Sequence, residues 1–507
     1  MNAKVEQYIG RGEQQGDMRA LQLEHATQAM AAIGATAHYD WRLARYDVQC
    51  SMAHVTMLRR QHIISDEVAQ QLLDGLDALR AQIDAGLFRA ASDAEDIHTA
   101  IEQQLDATLG PITGNLSIAR ARNDLAVTAL KLWLRDQLDA LLEQLHTVVE
   151  ALCDQAQRHA WTVMPGFSHL QSAQPITFGH LCLAYGESLF RDVERLKFAR
   201  DGLRECPLGS AALAGTRFSI DRFYVAEQLG FERPTANSID SVGERGFALD
   251  FLAAAASLAL DLSRLASEIV FWASQPVGFI RLPDALVTSS AAMPHKRNPD
   301  AAELVRAKSG RVLGHLHALQ TVVKGLPLSY FRDLQEDKEP LFDTADSLRL
   351  MLDATLAIVR LMEPQTDAMA QAASNGFTTS SDLADWLVQK RGVPFREAHH
   401  IVGKLVKLAQ QHHCTLAALP ETARAEIDSR IAGTDWPTIS PAESVLSRNS
   451  FGGTAPTCVG RAAGQLSSRI AASRVLYCAA IAPDSGASAN IGSGATFQRA
   501  EVSSSSI

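Results

Sequence analysis

Residues 124–160 read DLAVTALKLWLRDQLDALLEQLHTVVEALCDQAQRHA, without a proline or a glycine. Leu134, Leu138, Leu141, Leu145, Val148 and Leu152 recur in it at alternating steps of four and three. That spacing lines one face of a helix of about 36 residues, roughly 54 Å long at 1.5 Å per residue. Similar apolar stripes run from Gly179 to Glu205, from Glu244 to Ser274, from Asp300 to about Lys324 and from about Glu339 to Met362. Five long helices imply an extended bundle. The stretch Phe251 to Leu265 is apolar nearly all round, so its helix is expected to be buried on every side. A lone antiparallel bundle of this length would leave apolar surface in water unless other copies covered it. Self-association is the expected remedy.

Around this bundle the chain divides by composition, and the fold class it indicates is all-α. Residues 1–119 read as an N-terminal helical domain of shorter amphipathic helices, among them Ser65 to Ala85 with Val68, Leu72, Leu73, Leu76 and Leu79. Residues 120–367 form the central long-helix bundle. Residues 368–481 read as a C-terminal helical domain, interrupted at Gly392-Val393-Pro394, at Pro420 and at Gly452-Gly453. Residues 482–507 are dominated by Gly, Ala and Ser and end in Ser503-Ser504-Ser505-Ser506, a composition that cannot bury enough to offset chain entropy; a disordered tail is expected. Strand-type alternation is scarce.

Composition excludes several classes of function. At 507 residues with 47% hydrophobic side chains the chain can build large cores, and its net charge of -10 argues against a nucleic-acid surface. The seven cysteines, at 50, 153, 182, 206, 414, 458 and 478, show no Cys-x-x-Cys spacing, which suits neither a disulfide framework nor a zinc site. Reduced thiols in a cytoplasmic protein are the simple reading. The start, Met1-Asn2-Ala3-Lys4-Val5-Glu6-Gln7, is polar and lacks the apolar core of a signal peptide. The most apolar window, Phe251 to Leu260, is closed by Asp250 and Asp261, short of the roughly 20 residues of a membrane crossing. No membrane partner is expected.

Four clusters carry the chemistry. Thr288-Ser289-Ser290-Ala291-Ala292-Met293-Pro294-His295-Lys296-Arg297-Asn298-Pro299-Asp300 is hydroxyl-rich and loop-prone, with Lys and Arg where an anion could sit. Ala119-Arg120-Ala121-Arg122-Asn123-Asp124 opens the longest helix, where arginines and free backbone N–H groups favour a carboxylate. The run from Met164 to Pro175 places Ser168, His169, Gln171 and Gln174 between prolines, and histidine is suited to proton exchange near neutrality. Tyr330 to Glu339 is the charged start of the fifth long helix. Each has an ordinary alternative: a solvated loop, capping by Asp124, a surface histidine, and a helical face with i,i+4 charge pairs.

Together, and in this order, the clusters resemble the argininosuccinate lyase branch of the fumarase/aspartase superfamily from about Thr36 to Gly453. Glu95-Asp96-Ile97-His98-Thr99, the run from Pro207 to Thr216, Asn237-Ser238-Ile239-Asp240 and Gly452-Gly453-Thr454-Ala455-Pro456 look like further landmarks of that family. The resemblance implies three helical domains whose long central helices join those of three other copies in a tetrameric twenty-helix core, with each active site shared between subunits. It implies a small-molecule N-substituted aspartate as substrate, cleaved at its C–N bond to fumarate and an amine, with argininosuccinate giving arginine as the first candidate. No metal or organic cofactor is implied, because the substrate's own carboxylate takes up the charge.

Carried over residue by residue, Ser290 would be the base that removes the proton from the succinyl carbon beta to the departing nitrogen. Serine is a poor base in water, so positive surroundings must ionise it. His169, oriented by Glu303, would serve proton transfer to the leaving nitrogen or orient the substrate. Lys296 and Asn298 would hold the doubly charged intermediate, a preorganised role that can contribute several kcal/mol. Arg122, Asn123 and Ser168 would hold the succinyl carboxylates. Thr36, Asp40, Asp300, Tyr330, Gln335 and Lys338 would surround the rest of the substrate, with Asp40 and Asp300 as partners for a cationic amine or guanidinium. The chain differs from the common family form at Ala291-Ala292, at His295-Lys296-Arg297 and at Ser117-Ile118, all around the substrate. Two other readings therefore stand beside the first: a fumarate-releasing lyase with a different amine leaving group, and a non-catalytic, crystallin-like oligomer.

Overall fold

In the computed structural model, which describes residues 29–30, 32–90, 94–433 and 436–481, the helices begin and end where the local chemistry directs. After a single turn of helix at Ala37–Asp40 come α1 (Ala44–Arg60), α2 (Asp66–Asp84) and α3 (Ile97–Leu109). Ser65 caps α2 by accepting from the Val68 N–H at 3.2 Å, and Asp96 caps α3 by accepting from the Thr99 N–H at 2.8 Å. Both satisfy an N–H that the first helical turn leaves without a partner. The five long helices follow as α4 (Arg122–Arg158), α5 (Phe178–Asp201), α6 (Gly246–Ala273), α7 (Asp300–Val323) and α8 (Lys338–Leu361). Beyond them lie α9 (Thr366–Ser374), α10 (Ser380–Arg391), α11 (Phe395–Gln411) and α12 (Pro456–Ile481). The expected tail at 482–507 falls outside the described residues.

The six residues of the α4 seam, Leu134 to Leu152, are all buried. They pack where α4 meets α5, α8 and α12, while α6 meets α5, α7 and α8. One apolar core runs through this assembly from Leu43 to Ile470, so α12, late in the chain, shares the core of the long helices. A second, smaller core between Leu383 and Ile431 belongs to α10, α11 and the short elements after them.

Two expectations are corrected here. Helix α6 is not buried on every side: Phe251, Leu258, Leu262, Ile269 and Trp272 are buried, but Ala253, Leu260 and Arg264 form an exposed stripe, with Leu260 48% exposed. Among the described residues no further helix covers that side. Helix α6 is also, among the described residues, the one helix long and apolar enough to cross a membrane, at 28 residues, because the flanking aspartates do not interrupt it. More than half of its most apolar stretch is buried in the bundle, as suits the central helix of a core.

The structure also adds short strands that periodicity did not announce. The run after α4 folds into a hairpin of β1 (Val163–Ser168) and β2 (Gln171–Thr177), and the serine-rich loop before α7 into β3 (Thr288–Ser289) and β4 (Arg297–Asn298). In β1–β2 the two turn residues, His169 and Leu170, have φ of 56° and 57°. Such a turn ordinarily takes Asn-Gly, and side chains with a branched or bulky Cβ there are strained. The strain places His169 at the tip of the hairpin.

Leu258 lies on the fully buried face of α6. Leu258→Ala is expected to lower stability by about 2–5 kcal/mol through lost burial and an unfilled cavity, read as a lower midpoint in denaturant unfolding.

Candidate active site

A polar pocket lies where the segment before α1, the cap of α3, the start of α4 and the turn into α8 converge. It is lined by Thr36, Asp40, Asp96, His98, Arg122, Asn123, Arg245, Tyr330, Arg332, Gln335, Asp337 and Lys338. Seven of the sequence candidates meet here: Thr36, Asp40, Arg122, Asn123, Tyr330, Gln335 and Lys338.

Each side chain is held by identifiable bonds. Asp40 is buried; it accepts from the Thr36 hydroxyl at 2.6 Å and from the Ile97 N–H at 3.1 Å. Burial raises its pKa, while the Thr36 hydrogen bond and the charges of His98 and Lys338 pull the other way. Arg122, in the first turn of α4, reaches Asp96 at 3.0 Å and Glu95 at 3.5 Å and donates to the Thr99 hydroxyl at 2.9 Å. Asn123 donates to the Ala212 carbonyl at 3.0 Å. Beneath them Asp124 is fully buried and accepts from the N–H groups of Ala121, Gly209 and Ala211 at 3.0, 2.9 and 2.8 Å. It both caps α4 and ties the helix to the turn at 209–211. Burial pushes its pKa up to about 6 against those three donors.

On the opposite wall, Gln335 and Arg332 both donate to the Gly34 carbonyl, at 3.1 and 3.3 Å. Arg332 also pairs with Glu95. Asp337, with no exposed surface, accepts from Arg245 Nε at 2.5 Å and from Lys338 Nζ at 2.9 Å. One buried carboxylate thus compensates two cations, and the ammonium of Lys338 is fixed at the pocket wall. Burying any of these charges singly would cost several kcal/mol.

The remaining candidates form two further groups on the chain, away from this pocket. Ser168 and His169 are exposed on the β1–β2 hairpin, bonded to each other at 2.8 Å between Oγ and Nδ1. Ser290 lies in the loop between β3 and β4, whose turn is closed by Met293 N–H to the Ser290 carbonyl at 3.2 Å and by Lys296 N–H to the Met293 carbonyl at 2.9 Å. Asn298 donates weakly to Thr288 at 3.5 Å, and Thr288 bonds to Asp300 at the start of α7. Arg297 is committed to Asp284 and to the Leu282 carbonyl at 2.7 Å. The Lys296 ammonium has no partner among the described residues, so it is the loop's available cation.

Three pairings implied by the resemblance are not made within one chain. No hydrogen bond joins His169 to Glu303, which is exposed in the first turn of α7, among the described residues. Asp300 bonds to Thr288 rather than standing beside Asp40. Ser168 is not beside Arg122 and Asn123. In each case the hairpin or loop that carries the residue belongs to a different part of the molecule. Five pocket residues were missed as candidates: Asp96, His98, Arg245, Arg332 and Asp337. Asp96-Ile97-His98 and Arg332 to Asp337 sat inside the quoted motifs, so proximity to chosen residues was a usable signal. Arg245, before an apolar helix, offered none.

Comparison with known proteins places the chain among lyases. A family model described as Lyase matches residues 23–314, and one described as Argininosuccinate lyase C-terminal matches residues 377–446. Argininosuccinate lyase of Chelativorans sp. (strain BNC1) is 49% identical over 432 residues, spanning 85% of this chain and 91% of that protein. Among solved structures, EDDS lyase in complex with formate superposes with a TM-score of 0.78 at 29% identity, covering 89% of this chain and 90% of the other. The 3-carboxy-cis,cis-muconate lactonizing enzyme of Pseudomonas putida superposes with a TM-score of 0.69 at 20% identity, over 88% of this chain and 100% of the other, a likeness of fold alone.

Replacing the central carboxylate of the pocket is expected to be costly. Asp337→Asn leaves Arg245 and Lys338 buried without their shared anion, and stability should fall by about 3–5 kcal/mol. Thermal unfolding tests this, and an unchanged midpoint would mean the two cations find other compensation.

Proposed function

The chain belongs to the argininosuccinate lyase branch of the fumarase/aspartase superfamily, and from that footing we propose that it cleaves argininosuccinate to arginine and fumarate. It is a carbon–nitrogen lyase. The observation that carries the substrate assignment is the 49% identity to a known argininosuccinate lyase across nearly its whole length. The polar pocket supports it. Guanidinium and amide donors at Arg122 and Asn123 suit a dicarboxylate, while Asp40 and the donors of Tyr330, Gln335 and Lys338 suit an amino acid with a cationic end.

The chemistry follows from the acidity of a carbon beside a carboxylate. Removing its proton places a second negative charge on that carboxylate, which needs positive groups already in position. In this reading Ser290 takes the proton. Lys296, without a partner among the described residues, and Asn298 stabilise the charge, and the nitrogen departs with a proton supplied from the side of His169. Expulsion of the amine leaves the double bond of fumarate.

We further propose a homotetramer with shared active sites. The pocket in a single chain measures about 40 Å³, whereas pockets for small ligands run from about 300 to 1,000 Å³. Ser290 and His169 stand in separate groups, and Leu260 is exposed on α6. A site built from several copies accounts for all three. The likeness to EDDS lyase, one variant of which holds fumarate, favours a second reading in which a different amine leaves.

Purified protein supplied with a panel of N-substituted aspartates should release fumarate fastest from argininosuccinate; preference for another member would establish the second reading. Ser290→Ala should lower kcat about 10²–10⁴-fold with unfolding unchanged, and full activity would remove Ser290 from the mechanism. Leu260→Asp should shift the protein to smaller species in sedimentation and lose activity in parallel, whereas an active monomer would rule out shared sites.

A further inference from the structure

His98 occupies the substrate pocket without a task in the mechanism above. It lies in the first turn of α3, 4% exposed, one step past Ile97, whose N–H is bonded to Asp40. Its Nδ1 pairs with the carboxylate of Asp47 on α1. Because a carboxylate only accepts, that nitrogen carries a proton and the tautomer is fixed. Asp47 is itself held in place, since its Oδ1 accepts from Ser51 at 3.2 Å and Ser51 in turn accepts from Arg120 at 2.8 Å. The ring is thereby fixed in orientation by a chain of bonds reaching away from the pocket.

The other nitrogen is the informative one. His98 Nε2 is buried and has no hydrogen-bond partner among the described residues. Burial works to lower the pKa of this imidazole, but the Asp47 hydrogen bond and the charges of Asp47, Asp96 and Asp40 outweigh it and raise the value. The raised value favours the doubly protonated ring, in which Nε2 also carries a proton. A buried, charged N–H without an acceptor is unfavourable, and where it borders a binding pocket the missing acceptor is supplied by what binds there.

We propose that His98 is a substrate-binding residue whose Nε2–H donates to a carboxylate oxygen of the substrate, with Asp47 as the residue that positions it. Identification of that carboxylate rests on the argininosuccinate lyase reading, which offers one on the fumarate half and one on the arginine half. A further N–H donor in a pocket that Arg122 and Lys338 also line suits an anion. Asp40 and Asp96, the acidic groups on the same side, already have partners of their own.

Two substitutions separate binding from structure. His98→Asn keeps an amide nitrogen near the Nδ1 position, able to serve Asp47, but leaves nothing at Nε2. His98→Gln places an amide nitrogen near Nε2 and gives up Asp47. His98→Asn should raise KM for argininosuccinate about tenfold or more with a smaller fall in kcat, and should weaken equilibrium binding of either fumarate or arginine, whichever carries the carboxylate concerned. His98→Gln should recover most of that affinity. In the wild type, binding of that product should weaken as pH rises through the raised His98 pKa, because the donor loses its proton and charge. The other titratable and charged groups around the ring are Asp40, Asp47 and Asp96 on its own side and Tyr330, Lys338, Arg122 and Arg245 along the pocket, and two variants separate their effect from that of His98. Asp47→Asn should move the step to lower pH, and His98→Asn should abolish it. The proposal is overturned if His98→Asn binds both products like wild type, or if His98→Gln is the worse of the two. Wild-type protein that binds fumarate yet leaves argininosuccinate intact would refute the parent reading alone, since the His98 comparison is still read from fumarate binding.

Discussion

Helix α4 is pinned along its length because Leu134, Leu138, Leu141, Leu145, Val148 and Leu152 are all buried against its neighbours. A seam of that kind excludes polar chemistry from the middle of the bundle, where any charge would have to be compensated. The candidate site residues accordingly sit at the ends of the long helices. Arg122 and Asn123 open α4, Lys338 opens α8, and Asp300 and Glu303 open α7. Helix starts carry unpaired N–H groups and a positive dipole end, which favours anions there. The packing of α4 against α8 brings two of these starts together in one pocket.

Holding so many charges in one place requires mutual compensation, and the pocket is arranged as linked pairs. Asp337 serves Arg245 and Lys338; Asp96 and Glu95 serve Arg122; Asp47 serves His98. Each carboxylate also ties together two segments far apart in sequence, so the ion pairs fix the geometry of the site as well as its charge. Half-exposed members, such as Glu95 with Arg332, contribute less to stability than the buried ones, because water screens them.

The bundle was legible in sequence because its signal is local. Apolar spacing over about five turns of α4 survives any tertiary context, and the observed bounds of all five long helices fall within a few residues of the stripes. The β1–β2 hairpin was not legible, since its turn carries His169-Leu170 where the usual signal is Asn-Gly; strain imposed by the surroundings replaced local preference. The exposed stripe of α6 escaped notice for a different reason. Alanines all round a helix reveal close packing but not how many neighbours one chain supplies. In the pocket, the substrate-side candidates could be named from motifs, whereas Arg245 could not, because a buried ion pair with a residue 92 positions later leaves no periodic trace.

The two halves of the proposed machinery differ in how firmly they are held. Arg122 is cross-linked through Asp96 and Thr99, and Lys338 through Asp337, so the groups that would bind substrate are set before it arrives. The loop bearing Ser290 is anchored near its ends, by a two-residue ladder, Thr288–Asn298 and Ser289–Arg297, by Thr288 with Asp300, and by Arg297 with Asp284 and the Leu282 carbonyl. Such a loop can close at small energetic cost once a charged ligand offers Lys296 a partner. An elimination gains from that order. Binding groups fixed in advance limit the entropy lost on association, while a base delivered last meets a carbon already oriented and a site from which water has been displaced.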